Sequence, residues 1–456
     1  MPSKKAAAAK TLSFGGVIID DPRYRSALRF SLSDGIFANV MLALTETFGI
    51  AAAVYLKAPA IAIALLGSLP LLLSSIGQLL IPLLYPTTTE RKRYVLRGTT
   101  LQSLFLFCVA SSGFLPESIR PWAYVLFFAL YGFFGNVVAG FWIAWMGDLI
   151  PPAVRGRHFA WRNRIFSITQ LVCALTAGLI SRRYTTTNAP WFLFATVFIA
   201  AGLSRLLSTK MLSLQFEPHT AAVSTRYQFQ SVFRQQRPFL FYCISAALLQ
   251  GAVAITGPFF NVWYIRDLQF NYFTLSAVSV ATILGTIAAL PFWGRIADSF
   301  GNRTVILFTV FLIATIPLPY LAADRAWQIF GLNFYTGCCW SGYNLSNFNY
   351  LLSAAGRKKT EHNISFAVAA TGISVFLFSI LGGILATRLP QFFHFRLQSL
   401  FLLSALLRFT VFALFFVRYP HFEPIERGTI DLFHQIPGYR VGLGILRNTF
   451  RAFRIK

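Results

Sequence analysis

About twelve apolar stretches of roughly 20 residues divide this chain, and thirty-one of its forty Lys and Arg residues fall on alternate connections between them. A helix rising about 1.5 Å per residue needs about 20 residues to cross a hydrocarbon layer about 30 Å thick. Basic residues resist transfer through the membrane during insertion and so collect on its cytoplasmic side. The pattern predicts an all-α integral membrane protein with twelve transmembrane helices in two six-helix bundles and both termini cytoplasmic. The expected location is a bacterial inner membrane. The chain is 56% hydrophobic and 12% charged, with a mean hydropathy of +0.60. Such a composition cannot present an ordinary water-facing surface.

The positive-inside bias also accounts for the net charge of +25, so nucleic acid is not expected as a partner. The expected partners are the lipid bilayer and a small-molecule solute, with protons a candidate coupling ion and a monomer the expected state. Five cysteines lie within apolar spans without metal or redox spacing, and the six histidines are scattered. No cofactor or metal is expected.

Met211–Arg237, rich in Gln, Ser, Thr and Arg, is the longest polar interruption. The expected organisation is a basic N-terminus at 1–31, a six-helix bundle at 32–210, a linker at 211–237, a second bundle at 238–418 and a basic tail at 419–456. The tail's alternation of Leu446, Phe450 and Phe453 with Arg447, Arg451 and Arg454 fits an amphipathic helix on the inner leaflet. Gly140 to Arg155 and Gly342 to Arg357 show the same spacing in the two halves. Repeats of this kind place a transport pathway at their interface.

Between the eighth and ninth spans the chain reads Trp293-Gly-Arg-Ile-Ala-Asp-Ser-Phe-Gly-Asn-Arg303. Gly294, Ala297, Asp298, Gly301 and Arg303 match the inner-loop signature of the major facilitator superfamily, which this chain resembles over about residues 30–418. The Ser33-Asp-Gly35 start of the first span and Trp142 to Arg164 resemble a bacterial subgroup of generic transporters. The resemblance implies the major facilitator fold, secondary transport and an inner gate at Gly294, Arg295, Asp298, Gly301 and Arg303. In the first half Ile81 stands where the signature has its Asp. Asp148 is the expected substitute, facing Arg91, Lys92 or Arg93.

Ionisable groups inside spans cost about 2.5–3.5 kcal/mol each at mid-helix and mark functional positions. Glu46 lies near the middle of the first span, with Asp34 twelve residues earlier. The resemblance implies that this span lines the cavity, which makes Glu46 the first coupling candidate. Asp34 is the second, and an ion pair with the basic N-terminus is the blander expectation for it. Amides and aromatics supply the expected cavity lining: Asn136, Trp142, Trp145, Gln170, Gln250, Asn261, Asn333, Trp340, Asn344 and Asn347. They suit a neutral or weakly charged organic solute. Arg408, in the last span, is expected to snorkel or make a structural contact. With no nucleotide-binding motif in the chain, energy is expected from an ion or solute gradient. An enzyme is not expected, and a non-transporting assembly factor or sensor on the same scaffold is the alternative.

Overall fold

The computed structural model describes residues 22–84, 91–149, 152–184, 190–218, 237–355, 360–416 and 419–420. The expected basic N-terminus before residue 22, the centre of the linker, the basic loop at Arg357–Lys359 and the tail helix lie outside these residues. Among the described residues every regular element is a helix.

The first half comprises α1 (Pro22–Tyr55), α2 (Ala60–Leu84), α3 (Arg91–Ser111), α4 (Arg120–Leu149), α5 (Pro152–Ile180) and α6 (Trp191–Ser213). The second comprises α7 (Arg237–Ala254), α8 (Gly257–Val262), α9 (Tyr272–Phe300), α10 (Asn302–Thr315), α11 (Ala326–Ala355), α12 (Thr360–Arg388) and α13 (Arg396–Val411). A π-helical turn at Trp263–Asp267 prolongs α8. Because α7 and α8 form one interrupted helix, the described residues of each half form six helical passages. Ten are long and apolar enough to cross a membrane. The two that fall short are α3, opened by Arg91, Lys92 and Arg93, and α11, rich in amides, Tyr and Ser.

Several helices extend beyond their apolar spans. α1 starts ten residues before Leu32, and α5 already contains Arg155 to Arg164, which the hydropathy assigns to a loop. Hydropathy reports only the part of a helix that lies in lipid, whereas backbone hydrogen bonding continues into the interface. The same effect reshapes the 293–303 signature. α9 runs through Phe300 and α10 starts at Asn302, which leaves Gly301 alone as the joint. Its φ of 81° and ψ of 156° lie where residues with a Cβ are strained.

Small residues set the helix spacings, as expected where lipid supplies no hydrophobic drive to association. A Cβ on Gly285 of α9 would sit 2.1 Å from the Phe334 carbonyl oxygen, and one on Gly337 of α11 would sit 2.1 Å from the Thr282 oxygen. Trp293 Nε1 donates to the Cys338 carbonyl at 2.8 Å across the same pair. The halves meet along α2–α12, where Gly372 abuts Ser75 and Gly383 abuts Ala64. There Ser379 Oγ donates to the Ala64 carbonyl at 2.9 Å.

They meet again at the end opposite the basic loops. Phe48 of α1 and Phe194 of α6 close on Tyr272 of α9 at ring separations of 6.1 and 5.5 Å. The Tyr272 N–H donates to the Tyr184 carbonyl at 3.4 Å, and Gly178 of α5 lies against Ser276.

Candidate functional site

Two cavities lie between the halves, and they share no lining residue. The first, about 280 Å³, brings Glu46 and Thr47 of α1 and Gln170 of α5 opposite Asn261 of α8, Ser279 and Thr282 of α9, and Asn333 of α11. Glu46 is the exposed member of a stretch of α1 that is otherwise largely buried, so its carboxylate faces open space within the bundle. Its neighbour Thr45 turns away and pairs with the Tyr131 hydroxyl at 3.0 Å. Asn333 is held from all sides. Its Nδ2 donates to the Tyr264 and Tyr320 hydroxyls at 3.0 and 3.1 Å and to the Ile329 carbonyl at 2.9 Å, while Thr282 Oγ1 donates to its Oδ1 at 3.3 Å.

The second cavity, about 250 Å³, gathers Ser74 and Ser75 of α2, Asn136 of α4, Tyr242 and Gln250 of α7, Tyr343 and Asn347 of α11, and Thr371 of α12. Tyr242 Oη donates to Asn347 Oδ1 at 3.0 Å, and Asn136 Nδ2 donates to the Gly132 carbonyl at 3.0 Å. On α11 the two cavities are marked by Asn333 and Asn347, about 21 Å apart along the axis at 1.5 Å per residue. They therefore sit at different depths. Seven of the twelve coupling and lining candidates meet in these two spaces: Glu46, Gln170, Asn261 and Asn333 in one, Asn136, Gln250 and Asn347 in the other.

The others lie elsewhere. Trp145 is buried in a packed cluster with Val95 and Leu149, and its Nε1 donates to the Phe216 carbonyl at 3.2 Å. Trp142 faces the Arg162 guanidinium 4.4 Å from its ring centre. Trp340 meets Tyr343 edge to face, and Asn344 is exposed outside both cavities. The helical stripe read on α11 therefore fans over several environments.

Asp34 belongs to a buried polar cluster. Ser208 Oγ donates to its Oδ1 at 2.6 Å, and Arg205 Nη1 donates to Ser208 Oγ at 2.9 Å. Arg205 Nε donates to Gln102 Oε1 at 2.6 Å. Arg162, stacked between Trp142 and Phe166 at 4.4 Å from each, stands 3.9 Å from Asp34. Among the described residues the carboxylate pairs within α1, α5 and α6; the N-terminal lysines lie outside them. Arg408 does not snorkel. At 2% exposure it donates to Ser404 Oγ at 3.1 Å, the Ile313 carbonyl at 3.0 Å and Thr256 Oγ1 at 3.1 Å.

At the basic end, Arg295 and Asp298 are exposed and a Cβ on Gly294 would meet nothing within 4 Å, so close helix approach does not demand that glycine. Arg303 Nε donates to the Tyr419 carbonyl at 3.0 Å, not to Asp298. Arg91 and Arg93 occupy the first turn of α3, and the side chain of Asp148 lies outside the described residues. Among the described residues, a carboxylate from the linker reaches this turn. Glu217 Oε1 accepts the Lys92 backbone N–H at 2.9 Å, and Lys92 Nζ donates to the Gln215 carbonyl at 2.7 Å. Burial pulls the Lys92 ammonium below its ordinary range, and Glu217 partly offsets it. Sequence reasoning passed over Glu217 because it stands alone in a polar linker.

Comparison with known proteins agrees with this architecture. A sequence profile described as Major Facilitator Superfamily matches residues 242–453. A multi-drug resistance efflux pump PmrA homolog of Lactococcus lactis is 28% identical over 167 residues, 35% of this chain and 39% of that protein. Multidrug resistance protein MdtG of Salmonella arizonae is 28% identical over 149 residues, 32% and 35% of the two chains. The chain thus matches well under half the length of these relatives. Among solved structures, the D-xylose-proton symporter superposes with a TM-score of 0.64 at 14% identity, covering 88% of this chain and 97% of that one. A bacterial homologue of the iron transporter ferroportin, in an inward-facing state, gives 0.65 at 12% identity over 86% and 98%. The nucleoside transporter NupG gives 0.61 at 15% identity over 86% and 99%. The Major Facilitator Superfamily profile thus covers most of the second half, and the fold of these transporters is shared along nearly the whole chain.

Proposed function

We propose that this protein is a secondary transporter that moves a small organic solute across the cell's inner membrane by alternating access, with Glu46 as its proton- or cation-coupling group. The carrying observation is the convergence of Glu46, Gln170, Asn261 and Asn333 from both halves on one cavity. A carboxylate facing a protein-lined space can exchange a proton with bound solute or water, and its charge state then biases how the halves close around it.

On this reading both termini are cytoplasmic, the protein acts as a monomer, and residues 32–210 and 238–418 are the rocking units. The contacts of Phe48 and Phe194 with Tyr272 support closure at the outer end. The unlatched Asp298 and Arg303 support an open inner end, with Gly301, Arg91, Arg93 and Asp148 in the gate region. A non-transporting scaffold would be filled at its centre, and the two cavities count against it.

The test is counterflow into proteoliposomes with a driven solute panel. Glu46→Gln is expected to abolish pH-driven accumulation and to retain exchange. Wild-type accumulation in that variant removes Glu46 from coupling, and absence of counterflow for every solute by the native protein removes the transporter reading.

A further inference from the structure

We propose that the cavity at Asn136, Gln250 and Asn347 is a separate binding site that takes an uncharged, ring-bearing solute by an edge carrying adjacent donors and acceptors. The inference deepens the transporter reading and rests on it for the solute's passage, though not for its binding.

The first argument is charge. Among the described residues the lining contains no Asp, Glu, His, Lys or Arg, whereas the other cavity holds Glu46. A charged solute placed there would lose its hydration without meeting a counter-charge, a cost of several kcal/mol per ion in a low-dielectric surround. An uncharged solute avoids that cost.

The second argument is hydrogen-bonding capacity. Asn347 spends its Oδ1 on the Tyr242 hydroxyl, so its two N–H donors remain. Asn136 spends one N–H on the Gly132 carbonyl, so its Oδ1 acceptor remains. A donor from α11 and an acceptor from α4, one from each half, complement an imide or amide edge. Gln250 supplies a third amide from α7. Unmet amides in such a site also reject solutes that cannot satisfy them.

The third argument is shape. Leu71, Ala246, Leu351 and Val368 give the cavity apolar walls, and its volume of about 250 Å³ approaches the ~300–1,000 Å³ usual for small-molecule sites. The walls come from α2 and α12 as well as α7 and α11. Gly372 lets α12 approach Ser75, whose Oγ donates to the Val368 carbonyl at 3.3 Å. Closure of this seam would therefore change the site's width.

The experiment is calorimetric titration of the full chain in nanodiscs with uridine, which carries an imide edge, hydroxyls and no charge. Uridine 5′-monophosphate presents the same ring with a phosphate. Uridine is expected to bind, with the monophosphate at least about tenfold weaker. Gln250→Leu is expected to weaken uridine by about tenfold, the size of one lost hydrogen bond of ~1.4 kcal/mol. Asn136→Leu is the second variant, because that amide bonds only its own helix and its loss should leave the fold intact.

No binding of uridine to the native protein, equal binding of the monophosphate, or native affinity in either amide variant that retains its thermal transition would each overturn the proposal. Binding that follows the expected pattern without counterflow removes the transporter reading alone. Counterflow of another solute without uridine binding removes this inference alone.

Discussion

Each half buries an arginine in its last helix at a matching place, and the two are satisfied in different ways. Arg205 lies in α6 and Arg408 in α13, the last helix of each half, and the two positions are 203 residues apart. Arg205 reaches a carboxylate through Ser208 and holds Gln102 of α3 directly. Arg408 has hydroxyls and one carbonyl, from α13 itself, α10 and the break between α7 and α8. One cation is neutralised and the other is only solvated by the protein. Tying the last helix to the first and third of its half is common to both; the buried anion is not.

The largest effect is expected for Arg205→Met, which leaves Asp34 buried with Ser208 and the more distant Arg162. Breaking such a pair costs about 3 kcal/mol, the low end of the range because Arg162 remains near. The check is chemical or thermal unfolding in detergent. Arg408→Met is expected to cost less, about 1–2 kcal/mol, because it strands no charge. Thr256 and Ser404 also keep other acceptors, the Val253 carbonyl at 3.3 Å and the Ala252 carbonyl at 2.7 Å. Equal losses in the two variants would break the comparison. Ser208→Ala, which removes the bridge and keeps both charges, is expected to cost about 1 kcal/mol. Adding Asp34→Asn to Arg205→Met should recover part of the larger loss. If the double variant is no more stable than Arg205→Met, the carboxylate is not what distinguishes the halves.

Much of this architecture is legible in the chain, because a bilayer forces long apolar helices and sorts their flanking charges. The long apolar helices follow from that constraint alone. Glu46, Gln170, Asn261 and Asn333 are legible as polar residues where lipid would reject them, and the structure places them around one cavity. Other polar residues inside spans were ambiguous for a physical reason. A stripe on one helix fixes a direction but not the neighbour it meets, so Trp340 and Asn344 share a stripe with Asn347 and stand outside its cavity.

Trp145 reads like a lining residue, yet its indole meets the Phe216 carbonyl, 71 positions away in sequence. Arg408 reads as costly in isolation because its acceptors lie on helices that periodicity cannot pair. The helical course of Gly294–Phe300 was hidden because charged helix ends outside lipid resemble loops in composition.

The joint at Gly301 has a mechanical consequence. With one residue between them, α9 and α10 cannot slide independently at the basic end, and Trp293 fastens the same stretch of α9 to α11. A tilt imposed on α9 by events at Ser279 or Thr282 is delivered to two neighbours at once. On the proposed transport cycle, the cavity wall at Ser279 and Thr282 and the basic end of α9 would then move together, with Gly301 as the bend that passes the motion to α10.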